Sequence, residues 1–184
     1  MIKKFFNNNL NLSIFIISII TGIEYPDVDL IIPYLSHRSF LTHSIIVPVI
    51  LNFFLYKYKN SNQFLNYIFC GFLVGVSIHL CADLFPKAWI GYATIKIPFL
   101  LSVGPLFSPL WILINIMLGF FLAFRKIKEI ELRLSFKNHV VIWIIGIIYF
   151  LSEYNPLTKI LFFISFTLII IIFINYFQKL KKEY

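Results

Sequence analysis

Six residues in the first half of the chain carry side chains that commonly bind metal ions. In chain order they are Asp27, Asp29, His37, His43, His79 and Asp83. Imidazole nitrogens and carboxylate oxygens together suit zinc, manganese or iron. Six ligands are too many for one tetrahedral zinc ion, so we expect one or two divalent transition-metal ions, with zinc as the first candidate. Two ions, each with an open position for water, would use the set best.

The spacing of the aspartates and of His79 indicates how they could share an ion. His79 and Asp83 are four residues apart, so on a helix they project from one face and can bind one ion together. Asp27 and Asp29 are two residues apart beside Pro26. The proline beside them favours an extended or turn backbone, in which both carboxylates could reach a shared centre.

His37 and His43 are six residues apart, which is too far round a helix for them to share a face. We therefore expect His37 to precede the second helix and His43 to lie in its first turn. Ser39 or Thr42 would then cap that helix.

Neighbouring polar residues offer further chemistry. Arg38 could hold a phosphate oxygen with two parallel hydrogen bonds, or it could pair with Glu24 instead. Thr42 and Ser44 could orient the histidines or carboxylates, or they could cap the second helix.

The composition determines the environment of these residues. The chain has 184 residues, of which 60% are apolar and only 13% charged, and its mean hydropathy is +0.87. A globular domain carries about 25% charged residues, so this chain has too little polar surface for a water-facing exterior. These values exclude an ordinary water-soluble domain and predict one membrane-embedded domain over residues 1–184.

Six apolar runs predict an all-α, polytopic membrane protein with about six transmembrane helices. The runs extend from about Leu10 to Tyr25, Phe40 to Tyr56, Phe64 to Phe85, Leu106 to Phe124, Val140 to Leu151 and Leu157 to Phe177. A span needs roughly 20 residues, so the short first and fifth runs either recruit flanking polar residues or enter the membrane part-way. All candidate residues lie in the first half, about 1–104, and the C-terminal helices occupy about 105–184.

The distribution of Lys and Arg predicts the orientation. With six crossings and the N-terminus inside, twelve of the sixteen basic residues lie in inner segments and four in outer ones. By the positive-inside rule, both termini are then cytoplasmic. This topology puts the candidate ligands at the outer membrane boundary, so we expect a plasma-membrane protein whose site faces the extracytoplasmic side. The positive charge is explained by topology, and no nucleic-acid partner is expected.

Each motif alone also has an ordinary structural interpretation. A His-x-x-x-Asp pair on a membrane helix is commonly a hydrogen-bonded core pair, and Asp-x-Asp is a common turn. An ionised carboxylate at membrane depth costs about 2.5 to 3.5 kcal/mol on insertion scales, so it usually has a partner. Because the motifs coincide on one predicted face, the combination favours a metal centre. His139, isolated near the opposite face, is expected to be structural.

In this order the motifs resemble the YdjM-like family of membrane-bound metal-dependent hydrolases. The resemblance extends from about Glu24 to Pro98, and it rests on Pro26-Asp27-x-Asp29, His37-Arg38, Thr42-His43-Ser44, His79-x-x-x-Asp83, Gly91 and the strip from Ile95 to Pro98. The family often has His-Arg-Gly-x-Thr-His-Ser, whereas this chain has one residue more between Arg38 and Thr42. The resemblance implies a metal site and a hydrolase activity.

We therefore expect a metal-dependent hydrolase at the outer membrane–water boundary, acting on a phosphoester of a lipid or lipid-linked molecule. The six candidate ligands would bind the ions, which lower the pKa of a water molecule and supply hydroxide. Asp27 and Asp29 are the expected proton acceptors, and Arg38 is the expected phosphate contact. The alternative is a non-catalytic metal-binding membrane protein or a transporter, because intramembrane acidic and histidine residues also mark ion pathways.

Overall fold

The computed structural model describes residues 2–58, 63–84, 94–98, 102–130, 134–153, 160, 163–164, 166–172 and 175. Within these residues the regular elements are helices joined by loops, and two isolated β-bridges join Lys96 to Ser39 and to Ser102. The helices are α1 (Ile2–Glu24), a short 3-10 helix (Pro26–Leu30), α2 (Ile46–Tyr58), α3 (Gln63–Asp83), α4 (Phe107–Ile130) and α5 (Leu134–Glu153). The predicted all-α class is confirmed for the part of the chain that is described.

Within the described part of the chain, three segments are long and apolar enough to cross a membrane: Leu10–Leu30, Phe64–Asp83 and Phe107–Ile127. Each has 20 or 21 residues, which corresponds to the hydrocarbon thickness of about 30 Å. A shorter apolar helix, Val140–Leu151, lies within α5. These helices indicate a membrane protein. The expected six crossings and cytoplasmic termini stay predictions.

The first and second apolar runs depart from simple spans. Helix α1 begins at Ile2, so flanking polar residues do join the short first run. The second run is divided, because its first residues form a loop and α2 has only 13 residues. A helix of that length rises about 20 Å, less than the hydrocarbon core.

Helix α2 begins later than expected, and hydrogen bonds of the amides at its start explain why. The Ile45 amide donates to Asn115 Oδ1 on α4 over 3.0 Å, and the Ile46 amide donates to Ser44 Oγ over 3.3 Å. These side chains hold the preceding residues in a loop. His43 lies three residues before α2, so its expected place in the first helical turn is wrong.

Helix α3 packs between α1 and α4 and is the centre of the fold. Gly71 and Gly75, four residues apart, allow α1 to approach closely, since a Cβ atom at either position would overlap the backbone carbonyl of Phe15 or Ile19. Paired small residues at this spacing are typical of close helix packing in membranes. The α4 side is equally close, because a Cβ at Gly119 would overlap the Ser77 hydroxyl.

The core lies along these contacts. Its largest fully buried side chains include Phe15 and Ile19 on α1, Leu73 and Ile78 on α3, and Phe120 on α4. Packing on both sides fixes the last turn of α3, and this turn carries two of the six predicted ligands.

Candidate metal centre

The structure brings the six predicted ligands together at the C-terminal end of α3. The 3-10 helix contributes Asp27 and Asp29, the loop before α2 contributes His37 and His43, and α3 contributes His79 and Asp83. Two groups have ligand atoms within 4.8 Å of one another, and His43 belongs to both. One group also contains His79 and Asp83, and the other also contains Asp27 and His37.

The group formed by His43, His79 and Asp83 is buried, and we call it the buried trio. His43 Nε2 lies 3.3 Å from Asp83 Oδ2, and His79 Nε2 lies 3.5 Å from the same oxygen. The side chains of the trio are at most 8% exposed. Two ligands bound at about 2.0 to 2.1 Å in tetrahedral geometry lie about 3.3 to 3.4 Å apart. The distances from Asp83 Oδ2 to the two histidine nitrogens therefore fit one tetrahedral ion.

Two atoms of the buried trio lack a hydrogen-bond partner among the residues that the structure describes. They are His43 Nε2 and Asp83 Oδ2, and both are buried. An unsatisfied buried polar group costs about 1 to 3 kcal/mol, so such groups in folded proteins need an explanation. A metal ion bound by both atoms would satisfy them, and the trio therefore fits a metal ion by donor type, distance and unmet bonding.

The second group forms the open side of the cluster. Asp27 Oδ1 lies 3.9 Å from His79 Nε2, and the Asp27 side chain is 42% exposed. The His37 side chain is 45% exposed, and its ring centroid is 5.8 Å from that of His43. Asp27 and His37 can therefore complete the coordination of an ion at the trio, or bind a second ion beside it, while remaining accessible from outside.

Asp29 faces the other side of His43. Its Oδ2 accepts hydrogen bonds from the Ser39 amide and the Thr42 hydroxyl, both over 2.9 Å, and lies 3.2 Å from His43 Nδ1. Its Oδ1 lies 3.4 Å from His37 Nδ1. A carboxylate behind a histidine in this way orients the imidazole so that its other nitrogen faces the metal.

The local backbone directs Asp27 and Asp29 to different sides, and a shared centre for the two carboxylates stays a prediction. The two residues lie in a 3-10 helix rather than in an extended segment. With three residues per turn, side chains two positions apart project in directions about 120° apart. Asp27 therefore faces His79, whereas Asp29 faces the loop.

Arg38 lies against the buried trio. Its Nε is 3.6 Å from Asp83 Oδ1, and that nitrogen is buried without a hydrogen-bond partner. Among the described ion pairs of Arg38 there is none with Glu24. The backbone of Arg38 has a positive φ of 65°, and its carbonyl accepts a hydrogen bond from the Lys96 amide over 2.9 Å. The strip from Ile95 to Pro98 thus supports the loop, while Gly91 lies outside the described residues.

Two supporting residues come from helices in which the sequence analysis found no motif. The Tyr149 hydroxyl on α5 lies 3.2 Å from His79 Nδ1, and Asn115 on α4 holds the loop before α2. Their common signal in the sequence is a polar group inside an apolar helix, which needs a hydrogen-bond partner when it is buried. The identity of that partner depends on tertiary packing. His139 has no described side chain.

Comparisons of the chain with protein-family models, with curated proteins and with solved structures find no match. The donor set and geometry of the cluster are therefore the basis on which a function can be proposed.

Proposed function

We propose that this chain is a membrane-bound metal-dependent hydrolase that cleaves a phosphoester of a lipid or lipid-linked molecule. Its site lies at the outer membrane–water boundary of the plasma membrane. The observation that carries the proposal is the buried trio, whose nitrogen and oxygen atoms converge at tetrahedral spacing with two of them unsatisfied. The resemblance to the YdjM-like family agrees with this proposal.

The residues around the trio have distinct roles in the proposed reaction. A divalent ion, zinc first or else manganese or iron, supplies Lewis acidity that activates water and polarises a phosphoryl oxygen. His43, His79 and Asp83 hold the ion. Asp27, on the open side, closes the coordination or accepts a proton from the attacking water. His37 has the same exposed position and serves as a further ligand.

Arg38 and Asp29 support these groups. The Arg38 side chain is 24% exposed, so it can reach a phosphate oxygen while it neutralises Asp83. Asp29 fixes His43 by accepting hydrogen bonds from the loop around it. We therefore propose a positioning role for Asp29, in place of the metal-binding and proton-accepting roles expected from its spacing.

The first experiment is metal content. We expect the purified protein in detergent to bind one or two equivalents of zinc or manganese per chain, measured by elemental mass spectrometry after dialysis. An Asp83→Asn variant should lose the metal, because the amide cannot replace the anionic oxygen of the trio. Glu24→Gln is the matched control, since it removes an exposed carboxylate at the same end of the molecule. Full retention of metal by Asp83→Asn would contradict the proposed centre.

The second experiment distinguishes a hydrolase from a non-catalytic metal-binding protein. The metal-loaded protein is incubated with vesicles of phosphatidylglycerol, phosphatidic acid or a polyprenyl diphosphate, and released headgroup or phosphate is measured. Turnover that disappears in Asp83→Asn and persists in Glu24→Gln supports the hydrolase. Stable metal binding without turnover on any of these lipids would favour the non-catalytic alternative.

A further inference from the structure

We propose that the segment Leu30–Tyr34 inserts into the bilayer surface beside the metal centre, so that lipid is the molecule presented to the open side of the cluster. The statement about lipid at the cluster rests on the proposed function. The insertion itself rests on the surface and backbone of this segment, which connects two of the site residues, Asp29 and His37, along the chain.

The segment exposes a continuous set of apolar side chains. The exposed fractions are 65% for Leu30, 81% for Ile31, 39% for Ile32 and 77% for Tyr34. Contiguous apolar side chains of this kind mark a surface that is covered by a membrane or a partner. No residue from Leu30 to Tyr34 is charged. The tyrosine has an apolar ring and a polar hydroxyl, which is the chemistry enriched at membrane interfaces.

Part of the backbone of the segment is paired by internal hydrogen bonds, which lowers the cost of an apolar environment. The Ile31 and Ile32 amides both donate to the Val28 carbonyl, over 3.0 and 3.3 Å, and the Leu35 amide donates to the Ile32 carbonyl over 3.1 Å. Pro33 has no amide hydrogen. Unsatisfied backbone groups are costly in lipid, so hydrogen bonds made by the amides of a non-helical segment favour its contact with lipid.

The continuity of the surface favours lipid over a protein partner. The segment begins where the candidate span Leu10–Leu30 ends. That span has exposed apolar side chains of its own, such as Ile17 at 63% and Ile20 at 52%. Exposed apolar side chains therefore occur along the candidate span and again at Leu30 and Ile31, before the site residue His37 in the chain.

The insertion has a direct consequence for the proposed chemistry. The open-side residues Asp27 and His37 flank the segment in the chain and are each nearly half exposed. With Leu30–Tyr34 among acyl chains, these two residues lie near the depth of lipid headgroups. A phosphoester in a headgroup then reaches the cluster by lateral diffusion within the bilayer, without having to leave it.

Fluorescence quenching tests the insertion. Ile31→Cys and Ser36→Cys are labelled with a thiol-reactive bimane and reconstituted into phosphatidylethanolamine–phosphatidylglycerol vesicles. The native Cys70 and Cys81 are fully buried, and the labelled parent chain gives the background. Lipids with dibrominated acyl chains should quench the label at position 31 several-fold more strongly than at position 36. Aqueous iodide should show the opposite preference.

Each other outcome overturns the proposal. Equal iodide quenching at both positions would place the segment in water. Protection of position 31 from both quenchers would mean that protein, including a second copy of this chain, covers it. Tyr34→Cys is an independent variant in case Ile31→Cys does not fold. The experiment requires neither metal nor turnover. If the chain has no hydrolase activity, the quenching result therefore still shows whether the segment inserts.

Discussion

His43 is held between two carboxylates whose surroundings differ. Asp29 Oδ2 accepts hydrogen bonds from the Ser39 amide and the Thr42 hydroxyl. The same oxygen lies close to His43 Nδ1. Asp83 faces His43 Nε2 with an oxygen that has no hydrogen-bond partner. A carboxylate whose lone pairs are occupied by protein donors orients its neighbours, whereas one with an unused oxygen can bind an ion. The two aspartates should therefore respond differently to removal of charge.

Asp29→Asn should weaken zinc affinity about 10- to 100-fold while leaving a measurable site, as expected for a residue behind a metal ligand. Asp83→Asn should eliminate the site. Titration of both variants with zinc and a competing chelator measures this difference. If Asp29→Asn also eliminates binding, in a protein that is otherwise folded, Asp29 is itself a ligand, as its spacing to Asp27 suggested.

Arg38 occupies a backbone conformation that glycine adopts more easily. A non-glycine residue in the left-handed region costs roughly 1 to 2 kcal/mol, and the φ of Arg38 is 65°. We expect Arg38→Gly to be more stable than Arg38→Ala by about 1 kcal/mol, because both lose the guanidinium but only glycine relieves the backbone.

The midpoint of thermal unfolding of the two Arg38 variants checks this expectation. It can be followed by the reaction of a thiol-specific dye with Cys70 and Cys81, which are buried until the protein unfolds. Equal midpoints for the glycine and alanine variants would be inconsistent with a strained Arg38.

The clustering of the six candidate residues was predictable from residue type and spacing, but their individual contacts were not. The i, i+4 spacing of His79 and Asp83 correctly predicted one shared helix face. The direction in which the Asp29 side chain points depends on whether the backbone is a 3-10 helix or an extended segment. The structure has the helix, and the two conformations have similar local sequence signals after proline. The partner of Arg38 depends on the approach of the loop to α3, which no local pattern encodes.

The contact between helices α1 and α3 determines whether the candidate ligands on the two sides come together. Helix α1 leads directly into the 3-10 helix that carries Asp27, while α3 carries His79. The distance of 3.9 Å between their ligand atoms therefore depends on how closely the two helices pack.

Gly75→Ala should destabilise the protein by about 1 to 3 kcal/mol, the usual cost of overpacking, because the added methyl group meets the Ile19 carbonyl. Zinc affinity should fall as well, since α1 must move away from α3. Ile17→Ala on the exposed face of α1 is the control and should change stability by less than about 0.5 kcal/mol. Thiol-dye unfolding and zinc titration measure both effects, and a Gly75→Ala variant as stable as the parent would refute the close contact.

The helix positions were indicated by the apolar runs, whereas the late start of α2 was not. Phe40, Leu41 and Ile45 extend the second run. Asn115 and Ser44 nevertheless accept hydrogen bonds from the Ile45 and Ile46 amides at the start of the helix. Hydropathy does not predict these hydrogen bonds. The same holds for Tyr149, whose contact with His79 joins positions 70 residues apart.

For the whole molecule, the distribution of Lys and Arg predicts that the metal centre faces outward. Ser36→Cys, an exposed position beside the centre, should react in intact cells with a membrane-impermeant maleimide. Lys181→Cys, near the C-terminus, should react only after the membrane is permeabilised. Little maleimide labelling of the native cysteines is expected, because Cys70 and Cys81 are buried. Labelling of both positions in intact cells, or of Lys181→Cys alone, would refute the six-crossing topology with cytoplasmic termini.

The ligands are divided between the residues after α1 and the end of α3, and this division orders the events of biogenesis. A nascent chain that ends before residue 79 carries Asp27, His37 and His43 but lacks two members of the buried trio. The trio assembles only after the translocon has released α3 alongside α1. A chain in which α3 is misinserted or inverted keeps His79 and Asp83 away from His43. In the proposed metal centre, occupancy of the trio would therefore record correct insertion, and it would distinguish mature protein from misassembled chains destined for degradation.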